Sequence, residues 1–200
     1  MHNSLAKIFG MEALGVGILV FFACQATSTY SGVNPFMVAL SNAIPILLMT
    51  MIGYSVSGAH FNPAVSLGLF FTRRINSYQL GLYIGAQLVG SLLAGAFLFL
   101  LTYEYTDEHG NLIKSSLGIP KISVPEGTKI YEVYSVAFIY ETLLSFIYAF
   151  IFFDIAVVKK YEGLKIGSVL GAFILLANAT FSATSGGCIN PARVFGPATV

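Results

Sequence analysis

Residues 57–68 read SGAHFNPAVSLG, and residues 185–196 read SGGCINPARVFG. Both stretches follow Ser-Gly with three residues and then Asn-Pro-Ala, and the two asparagines, Asn62 and Asn190, are 128 positions apart. Asparagine is a favoured N-cap and proline a favoured first helical residue, so each stretch predicts a loop that starts a short helix. One copy would be an ordinary helix-start signal, whereas two matched copies indicate an internal repeat.

The chain around these stretches has the composition of a membrane protein. Hydrophobic residues make up 56% of its 200 residues, charged residues only 10%, and the formal net charge is +1. This balance argues against nucleic acid as a partner and indicates segments that lie in lipid. Five segments are apolar enough and long enough to cross a bilayer, which takes about 20 residues. They are residues 8–27, 35–57, 80–101, 133–158 and 164–181.

A glutamate near the start of two spans extends the repeat. Residues 11–22 read MEALGVGILVFF and residues 140–153 read YETLLSFIYAFIFF, so Glu12 and Glu141 are 129 positions apart. Three spans per repeat would place the second copy upside down relative to the first. Because the second copy holds only two spans before Val200, its symmetry predicts a further span of about 20 residues. The predicted units are a first repeat over residues 1–101, a connecting loop over 102–132 and an incomplete second repeat over 133–200.

The positions of lysine and arginine predict the orientation. With a cytoplasmic N-terminus, Lys7, the Arg73-Arg74 pair and the lysines of residues 159–165 all lie inside. This distribution follows the positive-inside rule and predicts that the polar loop 102–132 is extracellular. The expected membrane is the plasma membrane or an internal vacuolar membrane. A signal peptide is the alternative for the first span, and Glu12 within that span argues against it.

Both Asn-Pro-Ala loops are expected to line a pore. The segment after Ser57 is too short to span, and non-helical backbone at membrane depth is tolerated only where it is covered by protein or lines a watery cavity. Half-helices from Pro63 to about Phe71 and from Pro191 would enter from opposite faces and bring two partial positive charges of about +0.5 to the midplane. The amides of Asn62 and Asn190 would offer donors to the lumen, and the loop carbonyls acceptors.

Small residues in the spans predict close packing. Cys24 and Cys188 lie in apolar segments, which favours small buried side chains over a disulfide or a metal site. Glycines recur at helical spacings in the third and fifth spans, where they would let helices approach closely. These glycines are Gly81, Gly85, Gly90, Gly95, Gly167 and Gly171.

Together these features resemble the aquaporin (major intrinsic protein) family. The resemblance covers nearly the whole chain, through the two Asn-Pro-Ala boxes with Pro63, Ala64, Pro191 and Ala192, the paired glutamates, YIGAQLVGSLLAG at residues 83–95 and NPARVFGPA at residues 190–198. It implies an all-α polytopic membrane fold, an inverted repeat of tilted transmembrane helices with two re-entrant half-helices. It also implies one pore per subunit, a homotetramer, and no catalytic residue, metal or cofactor.

The resemblance further implies a selectivity filter. Carried over by spacing from the two motifs, its positions are Asn42, Asn178, Gly187 and Arg193. Water-selective members usually carry an aromatic residue and often a histidine at the first two positions, so this filter is expected to be wider and polar. Val194 and Ala198, in contrast, match water channels. Arg193 would donate to permeants and repel cations and protons, with a snorkelling or salt-bridged arginine as the alternative.

Roles for three ionisable residues, Glu12, Glu141 and His60, follow from the same resemblance. Glu12 would accept from backbone N–H groups of the Asn62 loop and Glu141 from those of the Asn190 loop, with proton relay as the alternative. His60, two residues before Asn62, would line the cytoplasmic half of the pore, either passively or as a pH gate.

The sequence therefore predicts a passive channel, and not an enzyme. Water is the expected permeant, with small neutral solutes such as glycerol, urea or ammonia as further candidates, and with ions and protons excluded. A secondary transporter, which also uses inverted repeats and broken helices, is the alternative. Against it, the half-helix N-termini bring no carboxylate to bind a coupling ion. A junctional role with negligible conduction also remains open.

Overall fold

The computed structural model describes residues 4–30, 32–101, 104–106, 112–114, 117–120, 122, 124 and 126–200. Its first half contains helices α1 (Leu5–Tyr30), α2 (Pro35–Ser57), α3 (Pro63–Phe71) and α4 (Ser77–Leu101). Strands β1 (Glu104–Thr106) and β2 (Leu112–Lys114) follow, and then α5 (Ile130–Phe152), which continues as a π-helical segment (Phe153–Val158), α6 (Gly163–Ser185) and α7 (Pro191–Thr199).

Five of these helices are long and apolar enough to cross a membrane. They correspond to the five spans predicted from the sequence, and the fourth continues through the π-helical segment to Val158. Large apolar side chains point away from the protein on these helices: Leu100 is 78% exposed and Phe138 is 73% exposed. Such side chains are stable in contact with lipid, so the predicted class, an all-α multi-pass membrane protein, is confirmed.

Helices α2 and α6 end at the same short sequence pattern. Each helix ends at a serine followed by a left-handed glycine, Gly58 with φ +85° and Gly186 with φ +93°. The N–H groups of these glycines donate to Tyr54 O and Ser182 O respectively, which closes the last turn. The Ser-Gly pair that precedes each Asn-Pro-Ala tripeptide is therefore a helix stop, and it turns the chain into the loop.

The two halves of the chain pack around α2 and α6, which lie against each other. Helix α1 contacts α2 and α4, and α5 contacts α6. Each short helix also reaches across to the other half, since α3 contacts α5 and α7 contacts α1 and α4. The short helices are thereby enclosed by long ones, as re-entrant segments at membrane depth must be.

Glycine packing is confirmed at four of the six predicted positions. A Cβ atom at Gly90 would overlap the Ala13 carbonyl of α1, and one at Gly95 would lie 2.7 Å from the Gly196 carbonyl carbon of α7. Gly167 and Gly171 of α6 pack in the same way on backbone carbonyls of α2. The prediction is wrong for Gly81 and Gly85 within this chain, because a Cβ atom there would meet nothing within 4 Å.

The segment that connects the two halves of the chain contains two short strands as well as loop. Strands β1 and β2 pair antiparallel, with Tyr105 opposite Ile113. Gly118, with φ +69°, is buried where a Cβ atom would overlap the Cys24 carbonyl, and Pro120 lies against Gly186. This part of the segment therefore packs against the second Asn-Pro-Ala loop. The polar composition of residues 102–132 did not predict that contact. Helix α5 begins at Ile130, before the predicted end of the loop, and residues 102–103, 107–111, 115–116, 121, 123 and 125 of that loop lie outside the described residues.

Candidate functional site

Two asparagines cap the short helices at the centre of the molecule. Asn62 Oδ1 accepts from Ala64 N at 2.8 Å, and Asn190 Oδ1 accepts from Ala192 N at 3.0 Å. Both asparagines have extended backbone, and proline follows each as the first helical residue. This N-cap geometry is the one that the Asn-Pro-Ala pattern predicts.

The two short helices meet N-terminus to N-terminus. Asn62 Nδ2 donates to Ile189 O at 3.2 Å, and Asn190 Nδ2 donates to Phe61 O at 2.7 Å. Each asparagine thus bonds the carbonyl of the residue that precedes the other. Because an amide NH₂ group has two hydrogens, each asparagine keeps one donor for a further partner.

The loops before the two caps share an unusual backbone. Three matched positions in each loop have left-handed φ angles: Gly58 and Gly186, Ala59 and Gly187, and Phe61 and Ile189. Phe61 and Ile189, at +48° and +56°, lie in a region that residues with a Cβ atom rarely adopt. Such strain persists only where the surroundings fix the backbone, which points to a functional constraint.

Glu12 fixes the first loop. Its Oε1 accepts from Ser57 Oγ at 2.6 Å and from His60 N at 3.0 Å, and its Oε2 accepts from Phe61 N at 2.8 Å and from Gln87 Nε2 at 2.9 Å. The side chain is completely buried, with 0% exposure. Four donors compensate the loss of hydration, and two of them hold the loop backbone.

Glu141 holds the second loop in the same way. Its Oε1 accepts from Ser185 Oγ at 2.6 Å and from Cys188 N at 3.1 Å, while its Oε2 accepts from Ile189 N at 2.7 Å. The two serines and Gln87 lie within the sequence motifs described above, but their part in holding the glutamates was not predicted from the sequence. The repeated Ser-Gly pair could have revealed the two serines. Each serine hydroxyl also accepts a hydrogen bond from a loop N–H group.

His60 belongs to a buried cluster beside the first loop. Its ring stacks on the ring of Tyr83, with centroids 3.9 Å apart, and Phe152 of α5 lies edge-on at 5.8 Å. Its Nδ1 is 3.1 Å from Ser66 Oγ, which also accepts from Gln87 Nε2. The same glutamine therefore links the histidine cluster to Glu12.

A cavity of about 30 Å³ connects the Asn-Pro-Ala loops to the predicted filter. Its lining residues are Leu19, Ala23, Asn42, Ile46, Asn62, Tyr148, Ile174, Asn178, Cys188, Asn190 and Arg193. The structure thus brings both asparagine caps together with three of the four predicted filter residues. The fourth, Gly187, lies behind Asn178, where an added Cβ atom would be 3.3 Å from the Asn178 Cα.

Arg193 is anchored beside this cavity by neutral groups. Its Nε donates to Asn42 Oδ1 at 2.9 Å, its Nη2 to Thr27 Oγ1 at 3.0 Å and its Nη1 to Cys188 Sγ at 3.7 Å. In the described part of the chain no carboxylate accepts from it, and its side chain is buried. A positive charge therefore stands at the cavity without a neutralising partner, which excludes the salt-bridged alternative within these residues.

The asparagines at two predicted filter positions, Asn42 and Asn178, are held by bonds from their own amide nitrogens. Asn42 Nδ2 donates back to Val38 O at 2.8 Å, and Asn178 Nδ2 donates back to Ile174 O at 3.1 Å, one helical turn earlier in each case. These bonds fix both amide groups, and they leave the Asn178 oxygen near Gly187. Thr27, which completes the arginine's contacts, and Tyr148 carry no motif, and sequence analysis missed both.

Comparison with known proteins agrees with this geometry. The family model described as Major intrinsic protein matches residues 2–200. The chain is 32% identical over 195 residues to Nodulin-26 of Glycine max, covering 94% of this chain and 65% of that protein. It is 28% identical over 206 residues to an aquaglyceroporin of Plasmodium berghei (strain Anka), covering 97% of this chain and 75% of that protein.

A third relative is a probable aquaporin, NIP4-2, of Arabidopsis thaliana, which is 32% identical over 193 residues. The chain spans 65% of Nodulin-26 and 62% of this relative, less than two thirds of either. Among solved structures, the aquaglyceroporin from Plasmodium falciparum superposes with a TM-score of 0.72 at 22% identity, covering 98% of this chain and 81% of that chain. This likeness shows a shared fold.

Proposed function

The chain belongs to the major intrinsic protein family, and from that premise we propose that it is a passive transmembrane channel for water. The observation that carries the proposal is the cavity between Arg193 and the paired caps Asn62 and Asn190. Its lining combines polar side chains, among them Asn42 and Asn178, with the apolar side chains of Leu19, Ile46 and Ile174. Water can exchange hydrogen bonds along such a path without binding tightly at any point.

Two features support exclusion of ions and protons. The half-helices α3 and α7 direct their positive N-terminal ends at the same place, because their asparagine caps bond each other. The unneutralised charge of Arg193 adds a second barrier to cations on the filter side of the cavity. In a site of low dielectric constant, both effects are stronger than they would be in water.

Small neutral solutes are further candidate permeants. The proposed filter of Asn42, Asn178, Gly187 and Arg193 has no aromatic side chain. Glycerol, urea and ammonia are neutral and hydrogen-bonding, so the electrostatic barriers do not oppose them. The printed names of the relatives include both aquaporins and an aquaglyceroporin.

The proposed channel is an inverted repeat in the membrane. The first repeat comprises residues 1–101 and the second residues 133–200, with the N-terminus in the cytoplasm and a plasma or vacuolar membrane as the site. His60 then lines the cytoplasmic side of the path, and Glu12 and Glu141 hold the loops. The assembly is a homotetramer in which each subunit keeps its own pore.

Osmotic swelling of proteoliposomes tests the function. We expect the purified protein to raise water permeability well above that of empty liposomes, without saturation and without ionic current. Urea, glycerol and ammonia are measured in the same vesicles. Water permeability equal to that of empty liposomes contradicts the proposal, and so does saturable uptake coupled to an ion gradient, which indicates a secondary transporter.

A further inference from the structure

Tyr148 breaks the symmetry of the repeat inside the cavity. It lies seven residues after Glu141, as Leu19 lies seven residues after Glu12. Both side chains line the cavity, so α1 and α5 contribute to its wall at corresponding positions. The first copy places a leucine there, whereas the second places a larger ring with a hydroxyl group.

The neighbours of Tyr148 on α5 define its level in the pore. Ser145, three residues before it, donates to Ile189 O at 2.9 Å, the carbonyl that also accepts from Asn62. Phe152, four residues after it, meets the His60 ring. Residues three and four apart share a helix face, so Tyr148 lies between the asparagine caps and His60 along the pore.

The hydroxyl group of Tyr148 is available to a permeant. The side chain is only 1% exposed, and no residue that the structure describes makes a hydrogen bond with its hydroxyl. Within the described residues, the fully enclosed side-chain polar atoms without a partner are Thr50 Oγ1 and Gln87 Oε1. The Tyr148 hydroxyl is not among them, so a small part of its surface remains accessible, and the side chain lines the cavity.

The surroundings show what this group would bind. Buried polar groups are satisfied by protein or by water, and the space beside Tyr148 belongs to a cavity of about 30 Å³, which holds only a few water molecules. Leu19, Ile46 and Ile174 contribute apolar side chains to the same lining, and each asparagine cap has one amide hydrogen left. A tyrosine hydroxyl both donates and accepts, so it can bond a water molecule in either orientation.

We propose that Tyr148 is a second selectivity element: its ring narrows the pore between the asparagine caps and His60, and its hydroxyl hydrogen-bonds each passing water. The proposal rests on the proposed channel function. Its consequence is that a carbon-chain polyol such as glycerol, which the aromatic-free filter would admit, is stopped at Tyr148. The channel then conducts water in preference to glycerol despite its filter.

Three variants test the proposal in proteoliposomes. Tyr148→Leu installs the residue of the first copy and removes the ring, and we expect glycerol permeability to rise about tenfold or more over wild type. Tyr148→Phe keeps the ring but removes the hydroxyl, and we expect continued glycerol exclusion with water permeability about two- to tenfold lower, the effect of one lost hydrogen bond. Phe150→Leu, an aromatic loss on the exposed face of α5, is the control and should match wild type.

The outcomes separate this proposal from the channel function. Wild-type water flux above that of empty liposomes supports the function, whereas the ratio of each variant to wild type tests Tyr148. An unchanged glycerol rate in Tyr148→Leu, or an unchanged water rate in Tyr148→Phe, overturns the proposal. If Tyr148→Leu does not fold, the water permeability of Tyr148→Phe still tests the proposal.

A test that needs no conduction is a crystal structure that resolves water. An ordered water within about 3.2 Å of the Tyr148 hydroxyl supports the proposal. A dry hydroxyl in wild type overturns it, whether or not the protein conducts.

Discussion

Arg193 and Asn42 share a hydrogen bond, from Nε to Oδ1 at 2.9 Å, that joins α7 to α2 across 151 positions of sequence. The Asn42 amide is itself fixed by its bond to Val38 O, so it is an oriented acceptor. Thr27 completes the anchor from α1, because its hydroxyl donates to Ala23 O and accepts from the guanidinium. Three helices therefore hold one positive charge at the cavity.

Removing this charge should make the proposed channel leak protons. In Arg193→Ala the barrier of the buried cation is lost, and we expect proton or cation flux to rise roughly tenfold while water flux is kept or increased. The measurement is the decay of a pH gradient in proteoliposomes that contain a pH-sensitive dye. Arg74→Ala is the matched control, because Arg74 lies over the Phe153 ring, away from the cavity lining. An unchanged leak in Arg193→Ala contradicts the assigned role.

The two loop glutamates should differ in how much stability they contribute. Glu12 accepts four hydrogen bonds and is fully buried, whereas Glu141 accepts three and is partly exposed. A glutamine at position 12 would turn an NH₂ group towards N–H donors, so we expect Glu12→Gln to lower the free energy of unfolding by roughly 2–4 kcal/mol. The loss in Glu141→Gln should be smaller.

Unfolding in detergent, followed by circular dichroism, measures both changes. Glu132→Gln in the exposed first turn of α5 is the control and should shift stability by less than about 0.5 kcal/mol. Equal losses in the two loop variants would show that neither the hydrogen bond from Gln87 nor complete burial makes Glu12 contribute more to stability than Glu141.

Much of the fold was predictable because lipid and backbone chemistry leave few choices. A span needs a long apolar run, and a helix start needs a cap, so α2 and α3 begin and end where the sequence predicts. The partners of Asn62 were not predictable in the same way. Its bond to Ile189 O depends on how two distant segments approach, and no spacing along one chain encodes that distance.

The predicted filter shows the same limit. The family resemblance, applied by spacing from the motifs, led to Asn42 and Arg193, but Thr27 has no motif and is recognisable only by its contact with the guanidinium. In the sequence, Tyr148 is one of several aromatic residues in an apolar span, and only the structure shows that it lines the cavity. Chemistry that depends on which face of a helix meets a pore needs the packed structure.

The close contact between α1 and α4 at Gly90 should leave no room for an added methyl group. A Cβ atom there would overlap the Ala13 carbonyl of α1, so Gly90→Ala must push α1 and α4 apart, and we expect a loss of about 1–3 kcal/mol in stability. Gly85→Ala, in the same helix, meets open space and should be neutral or slightly stabilising because alanine is the better helix former. Detergent unfolding of both variants measures the difference, and equal stabilities would contradict the close approach.

The repeated Ser-Gly pair should contribute through its hydroxyl groups. Ser57 Oγ donates to Glu12 at 2.6 Å and accepts from Ala59 N at 3.1 Å, and Ser185 Oγ makes the corresponding bonds to Glu141 and Gly187 N. Alanine at either serine leaves a loop N–H group unpaired, so we expect each variant to lose roughly 1–3 kcal/mol of stability. Ser168→Ala, which removes an exposed hydroxyl, should cost little. Proteoliposome water flux should fall in both loop variants, because each loop backbone holds one asparagine cap in place; full flux at full stability would show that the serines only end helices.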